Sequence, residues 1–167
     1  MLFYTIVTEA KKMLRNLDGW LEKGAAYAAA KSFDPNVLLQ SRLAPDMFPL
    51  LRQVQAACDQ AKYIAARAAG KEAPSHPDNE LTFDDARKRI ATVVSYLETF
   101  TKSDFEGVDT RTVKLPRWEG KSMTATDYVI EHGLPNFFFH LTTAYAILRH
   151  NGVDVGKRDY LGALSMR

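Results

Sequence analysis

An all-α fold built on four long amphipathic helices is what this sequence predicts, and three observations carry the prediction. Four stretches repeat apolar residues in steps of three and four, the period of a helix that buries one face. Residues that start and stop helices punctuate those stretches. Only residues 110–124 break the pattern: Thr110, Thr112, Val113 and Leu115, then Gly120 and Ser122 to Thr124, read as a small irregular hairpin turning near Gly120.

The first helix is expected over residues 3–31, with Phe3, Ile6, Val7, Ala10, Met13, Leu14, Leu17 and Leu21 on its core face. Gly19 and Gly24 weaken its second half by about 1 kcal/mol each relative to alanine, so a bend near Asn16 to Gly19 is expected. The alanine-rich run from Ala25 to Ala30 restores helix propensity and permits close packing. Asp34 and Pro35 then cap a short helical turn through Leu39.

The second long helix is expected to start with Asp46 as N-cap, which puts Pro49 in the first turn, and to run to Ala69 with Gly70 closing it. Met47, Leu51, Val54, Cys58, Ala61 and Ile64 or Ala65 form its stripe. Residues 71–81 read as an exposed loop. Thr82 with Asp85 is a capping box for a third helix to about Phe100, with Phe83, Ala86, Ile90, Val93, Val94, Leu97 and Phe100 inward. A turn at Lys102 to Asp104 leads to the hairpin, which Pro116 makes irregular.

The last helix starts near Thr126 and Asp127 and runs to His150, kinked or split by Gly133 and Pro135. Phe137, Leu141, Ala144, Tyr145 and Leu148 form its stripe, and Asn151-Gly152 ends it. The tail to Arg167 is expected as an extended or coiled segment over the outside. Together these elements predict a four-helix bundle in one domain, residues 1–167.

Composition narrows the function classes. The net charge is +2, with 22 basic and 20 acidic residues interspersed, so no basic stripe marks a nucleic-acid partner. The single cysteine, Cys58, can form neither an internal disulfide nor a thiolate cage, which fits a cytoplasmic location. The apolar start is interrupted at Glu9, Lys11 and Lys12, unlike a signal peptide, and no run reaches the ~20 apolar residues of a membrane span.

Chemistry is expected in the last helix. Of the four histidines, His76 lies in the loop, His132 beside the Gly133 kink, and His150 in the final turn, where it suits the helix dipole. Only His140 sits within an apolar face, as a core histidine or a candidate catalytic group. Asn136 precedes it by four residues and shares its ridge. Because position 136 is Asn and position 144 is Ala, the two-histidine clamp of helical metal sites is incomplete. On the second helix, Gln53, Gln55 and Asp59 complete an expected polar pocket with Asn136 and His140. The residues favour a hydrogen-bonded network with no metal; the alternative is a weakly held divalent transition metal on His140 and Asp59. Phe137, Phe138, Phe139 and Tyr145 cover more than one face of their helix, which predicts burial on several sides and a homodimer.

Several phrases together resemble a known bacterial family. These are Arg42-Leu-Ala-Pro-Asp-Met-Phe-Pro-Leu50, Gln53-Val-Gln-Ala-Ala-Cys-Asp59, Phe105-Glu-Gly107, and Pro135-Asn-Phe-Phe-Phe-His140 continuing to His150-Asn-Gly152. They are similar to a family of unknown function grouped with the DinB/YfiT-like metalloenzyme superfamily. The resemblance implies a DinB-like four-helix bundle, often dimeric. It also implies a nickel- or zinc-type ion held, in metal-binding relatives, by one histidine of the second helix and a His-x-x-x-His pair of the fourth. His140 matches the second histidine of that pair, Asn136 stands in place of the first, and Gln53 or Gln55 lies near the second-helix position. One of three expected ligands is present. The expected function is therefore a DinB-like bundle with a degenerate metal site, binding a small molecule or acting without catalysis. The alternative is a divergent metal-assisted hydrolase or thiol-dependent transferase using His140.

Overall fold

The computed structural model describes residues 2–166. Four long helices, α1 (Leu2–Ala30), α2 (Leu50–Ala68), α3 (Phe83–Glu98) and α5 (Leu134–His150), enclose a shared apolar core. The expected all-α architecture is thus the observed one. Two short helices, α4 (Ala125–Asp127) and α6 (Lys157–Leu161), and a two-stranded antiparallel hairpin complete it. No described helix is long and apolar enough to cross a membrane.

α2 is the hub, packing against α1, α3 and α5. Its buried Ala57, Ala61, Ala65 and Ala68 recur at three- and four-residue steps, and small side chains there let the neighbouring helices approach closely. The helix starts later than expected. Leu50 is its first residue and Pro49 its N-cap, not Asp46, because a residue before proline is driven out of the α region, so Phe48 cannot be helical. Ala44 to Met47 form a turn instead, and Met47 is only half-buried. At the other end Gly70 takes φ +67°, with Lys71 N bonded to Ala66 O at 2.8 Å and Gly70 N to Arg67 O at 3.2 Å. These are the paired bonds that satisfy a helix's last carbonyls when a left-handed residue ends it.

α1 is unbroken through Gly19 and Gly24, and Trp20 joins its buried face beside all the expected residues except Ile6, which is half-buried. Asp34 accepts from Asn36 N at 2.9 Å at the head of the 3-10 turn Pro35–Gln40, and Leu38 and Leu39 enter the core. The capping box at Thr82 and Asp85 is present. β1 (Thr112–Lys114) and β2 (Ser122–Thr124) pair with Val113 opposite Met123, joined through a 3-10 turn at Pro116–Trp118 and left-handed Glu119 and Gly120.

The expected split of the last helix takes the form of a π-helical turn, Tyr128–Gly133, which leads directly into α5 with Pro135 in its first turn. The wider turn accommodates Pro135, which has no N–H to give to the carbonyls of the preceding turn. Gly133 is required by packing: a Cβ at this position would stand 2.7 Å from Ile64 Cγ1 of α2. The tail differs from expectation. Val153 and Val155 are fully buried, and α6 docks Tyr160 on Trp20 with ring centroids 5.3 Å apart. Trp20 Nε1 donates to Asp159 O at 3.0 Å, which explains why an indole can be buried in α1.

Candidate functional site

His140 projects from α5 towards α2, where its Nδ1 lies 2.7 Å from Gln53 Oε1. The orientation of the Gln53 amide follows from its second bond, since Nε2 donates to the carbonyl of Phe48 at 3.1 Å. Gln53 Oε1 must therefore accept, and the imidazole proton sits on Nδ1. Burial, and secondarily the nearby Arg52 guanidinium, push the His140 pKa down, so the ring is neutral near pH 7. Its Nε2 keeps a lone pair and has no partner among the described residues. Phe139 meets the imidazole edge-on at 5.2 Å and is itself 54% exposed.

The five expected pocket residues fall into two groups. His140 and Gln53 meet, and half-buried Asn136 lies one turn before His140 with its amide bonded to no described residue. Gln55 and Asp59 lie elsewhere, because residues two apart on a helix face different directions. Gln55 donates to Glu80 at 2.7 Å. Asp59 Oδ1 is held by Lys62 Nζ and Arg89 Nη2, both at 2.9 Å.

Arg89 anchors that second group. It also donates to Glu80 at 2.9 Å and to Pro77 O at 3.1 Å, tying residues 77–80 of the loop to α2 and α3. Lys62, only 1% exposed, lies 3.2 Å from His76 Nδ1. His76 is pushed below its ordinary pKa by desolvation, then by Lys62 and Arg89. The sequence carried a signal for this cluster. Arg89 falls three after Ala86 and four before Val93 on the buried ridge of α3, and Lys62 four after Cys58 on that of α2. A charge inside an apolar stripe is either an outward-reaching stem or a buried pair, and here it is the pair. Cys58 beside it is fully buried, and burial pushes its thiol up to about 12. It packs as a small apolar residue.

The donor set does not fit a nickel- or zinc-type ion. One imidazole and two carboxamides offer poor ligands, and both ends of the Gln53 amide are already bonded. The nearby Arg52 charge opposes a cation. Asp59, the alternative ligand, is neutralised by Lys62 and Arg89. Among the described residues, no three His, Cys, Asp or Glu side chains converge on a point that could hold a metal.

A domain model described as a domain of unknown function, DUF1993, matches residues 2–161. The chain belongs to this family. No curated protein matches it. Among solved structures, a DinB family member protein from Shewanella denitrificans is 50% identical, with a TM-score of 0.96, over 100% of this chain and 95% of that one. The kinship with DinB proteins expected from the Pro135–Gly152 phrase is thereby borne out. At that identity the two chains share their fold in detail, so this DUF1993 member is a DinB-type protein.

Proposed function

We propose that this DUF1993 member binds a small polar ligand at His140 and works without a metal. The observation that carries this reading is the relay from Phe48 O through the Gln53 amide to His140, which fills with hydrogen bonds the place where DinB metal ligands are expected. The relay fixes the imidazole proton on Nδ1, burial keeps the ring neutral, and Nε2 is left with a free lone pair on a ring that packs against the exposed rim of Phe139. A ligand that donates a hydrogen bond and carries an apolar edge suits this rim.

The test is metal analysis and imidazole 15N NMR on protein incubated with Ni²⁺ or Zn²⁺ and then desalted. Substoichiometric metal, an unmoved His140 signal, and His140 shifts with members of a small-fragment library are expected. One tightly held metal per chain, lost in His140→Ala with the fold intact, would overturn the reading.

The alternative has its own supporting observation: a neutral histidine with an open Nε2 is the form a general base needs. Ester or thioester turnover by the protein that disappears in His140→Gln would favour it; equal turnover by both proteins would remove it. We also infer a homodimer. Phe139, Phe48 and Ile130 are exposed by 54%, 51% and 53%, and a second copy would cover this apolar surface. Sedimentation analysis of Phe139→Glu against the unmodified chain tests this, and a monomer in both would refute it.

A further inference from the structure

A second cationic niche lies where the hairpin meets the π-turn, away from His140. Arg117 of the 3-10 turn places Nη2 2.5 Å from His132 Nε2. A guanidinium only donates, so Nε2 accepts and the His132 proton sits on Nδ1, which is buried and has no partner. Tyr128, one turn earlier, stacks on the His132 ring at 5.2 Å and 21°. Arg67 of α2 donates to the Tyr128 hydroxyl at 2.5 Å.

These cations lack counter-charges. Arg52, Lys62 and Arg89 are each held by carboxylates, whereas Arg67, Arg117 and Lys121 form no ion pair with a described residue. Burial first, then Arg117 and Arg67, push the His132 pKa down, as expected where positive charge is concentrated without an acid. Beside them opens a cleft of about 490 Å³ lined by Arg117, Trp118 and Lys121, with Glu119 as its one acidic residue among those described. Trp118 also stands edge-on to His132 at 6.2 Å.

We propose that this niche binds an oxyanion carried on an aromatic ring, with Arg117 and Lys121 on the carboxylate or phosphate and Trp118 against the ring. Two physical arguments support it. A neutral imidazole is a poor acceptor for a guanidinium, so an oxyanion wins Arg117 from His132 through a charge-assisted, bidentate contact. An indole at a cleft mouth offers a flat apolar face to a ring. The niche is separate from the His140 site: Gln53 and Arg67 are 14 residues apart on α2, roughly 20 Å along the axis.

Benzoate, phenyl phosphate and inorganic phosphate are titrated separately into the whole chain, with the His132 ring 15N signals, assigned through His132→Gln, as the readout. One of the two ring-bearing anions is expected to bind saturably, to raise the His132 pKa, and to weaken about tenfold in Arg117→Ala at unchanged melting temperature. The stronger of the two identifies the oxyanion. Lys121→Ala, at an exposed position, gives the same direction of change without touching His132. The proposal fails if neither ring-bearing anion saturates. It fails equally if inorganic phosphate binds as tightly as phenyl phosphate, or if both variants bind like the unmodified chain.

Discussion

Gln53 and His140 show how two ordinary residues define a protonation state. Because the amide donates to a main-chain carbonyl, only its oxygen remains for His140, and the tautomer follows. Gln53→Leu should leave a buried imidazole N–H without an acceptor, costing about 1–3 kcal/mol in urea unfolding. The same variant should lose the Nδ1–H signature in long-range ¹H–¹⁵N spectra; an unchanged tautomer and midpoint would contradict the relay. Cys58 is a second residue whose surroundings decide its behaviour. With no exposed surface and a thiol pushed up to about 12, it should react with a thiol reagent only as fast as the chain opens. Modification at the rate of a free thiol in native buffer would show the core is looser than this packing implies.

Elements are joined at a few close contacts, and Gly133 makes one of them. The π-turn presses against α2 where a Cβ would meet Ile64 Cγ1 at 2.7 Å. Gly133→Ala should destabilise by about 1–3 kcal/mol through overpacking. Ile64→Ala makes room, so the double variant should be more stable than the sum of the singles predicts; strict additivity would mean the two residues do not touch. The α2–α3 pair is joined differently, by Arg89 with a side chain 3% exposed against Asp59 and Glu80. Removing one member of a buried pair strands the others, so Arg89→Leu should cost about 3–5 kcal/mol in urea unfolding. A loss below ~1 kcal/mol would show that water already screens the cluster.

At the scale of the whole molecule, protons should set the stability profile. His76, His132 and His140 all have pKa values below the ordinary 6.5, chiefly from burial. Above pH 6.5 neither the folded nor the unfolded chain protonates them and nothing is lost. As pH falls below 6.5 the unfolded chain takes up protons that the folded one resists, so stability declines. Asp104, pulled down to about 2 mainly by Lys71, acts in a lower window: its contribution persists above the ordinary carboxylate value of 3.8 and is lost as pH falls towards 2. Melting temperatures across this range should therefore fall in two stages, and His140→Gln should flatten the upper one. A flat profile from pH 7 to pH 5 would contradict the burial of these rings.

The sequence by itself determined the helices and their inward faces, because apolar period, caps and glycine stops are local properties that the chain carries wherever it folds. Thr82 with Asp85, Gly70 and the Gly133–Pro135 break each act where they stand. The resemblance at Pro135–Gly152 singled out His140, and Gln53, Gln55 and Asp59 of the second helix all stood as expected members of its pocket. Only the tertiary structure decided between them, since which face of α2 meets α5 depends on how both helices are rotated in the core. The same rotation carried Asp59 away from His140 to Arg89 and Lys62, and brought Arg117 from the hairpin onto His132. Those pairings join residues far apart in the chain, and no local period encodes them.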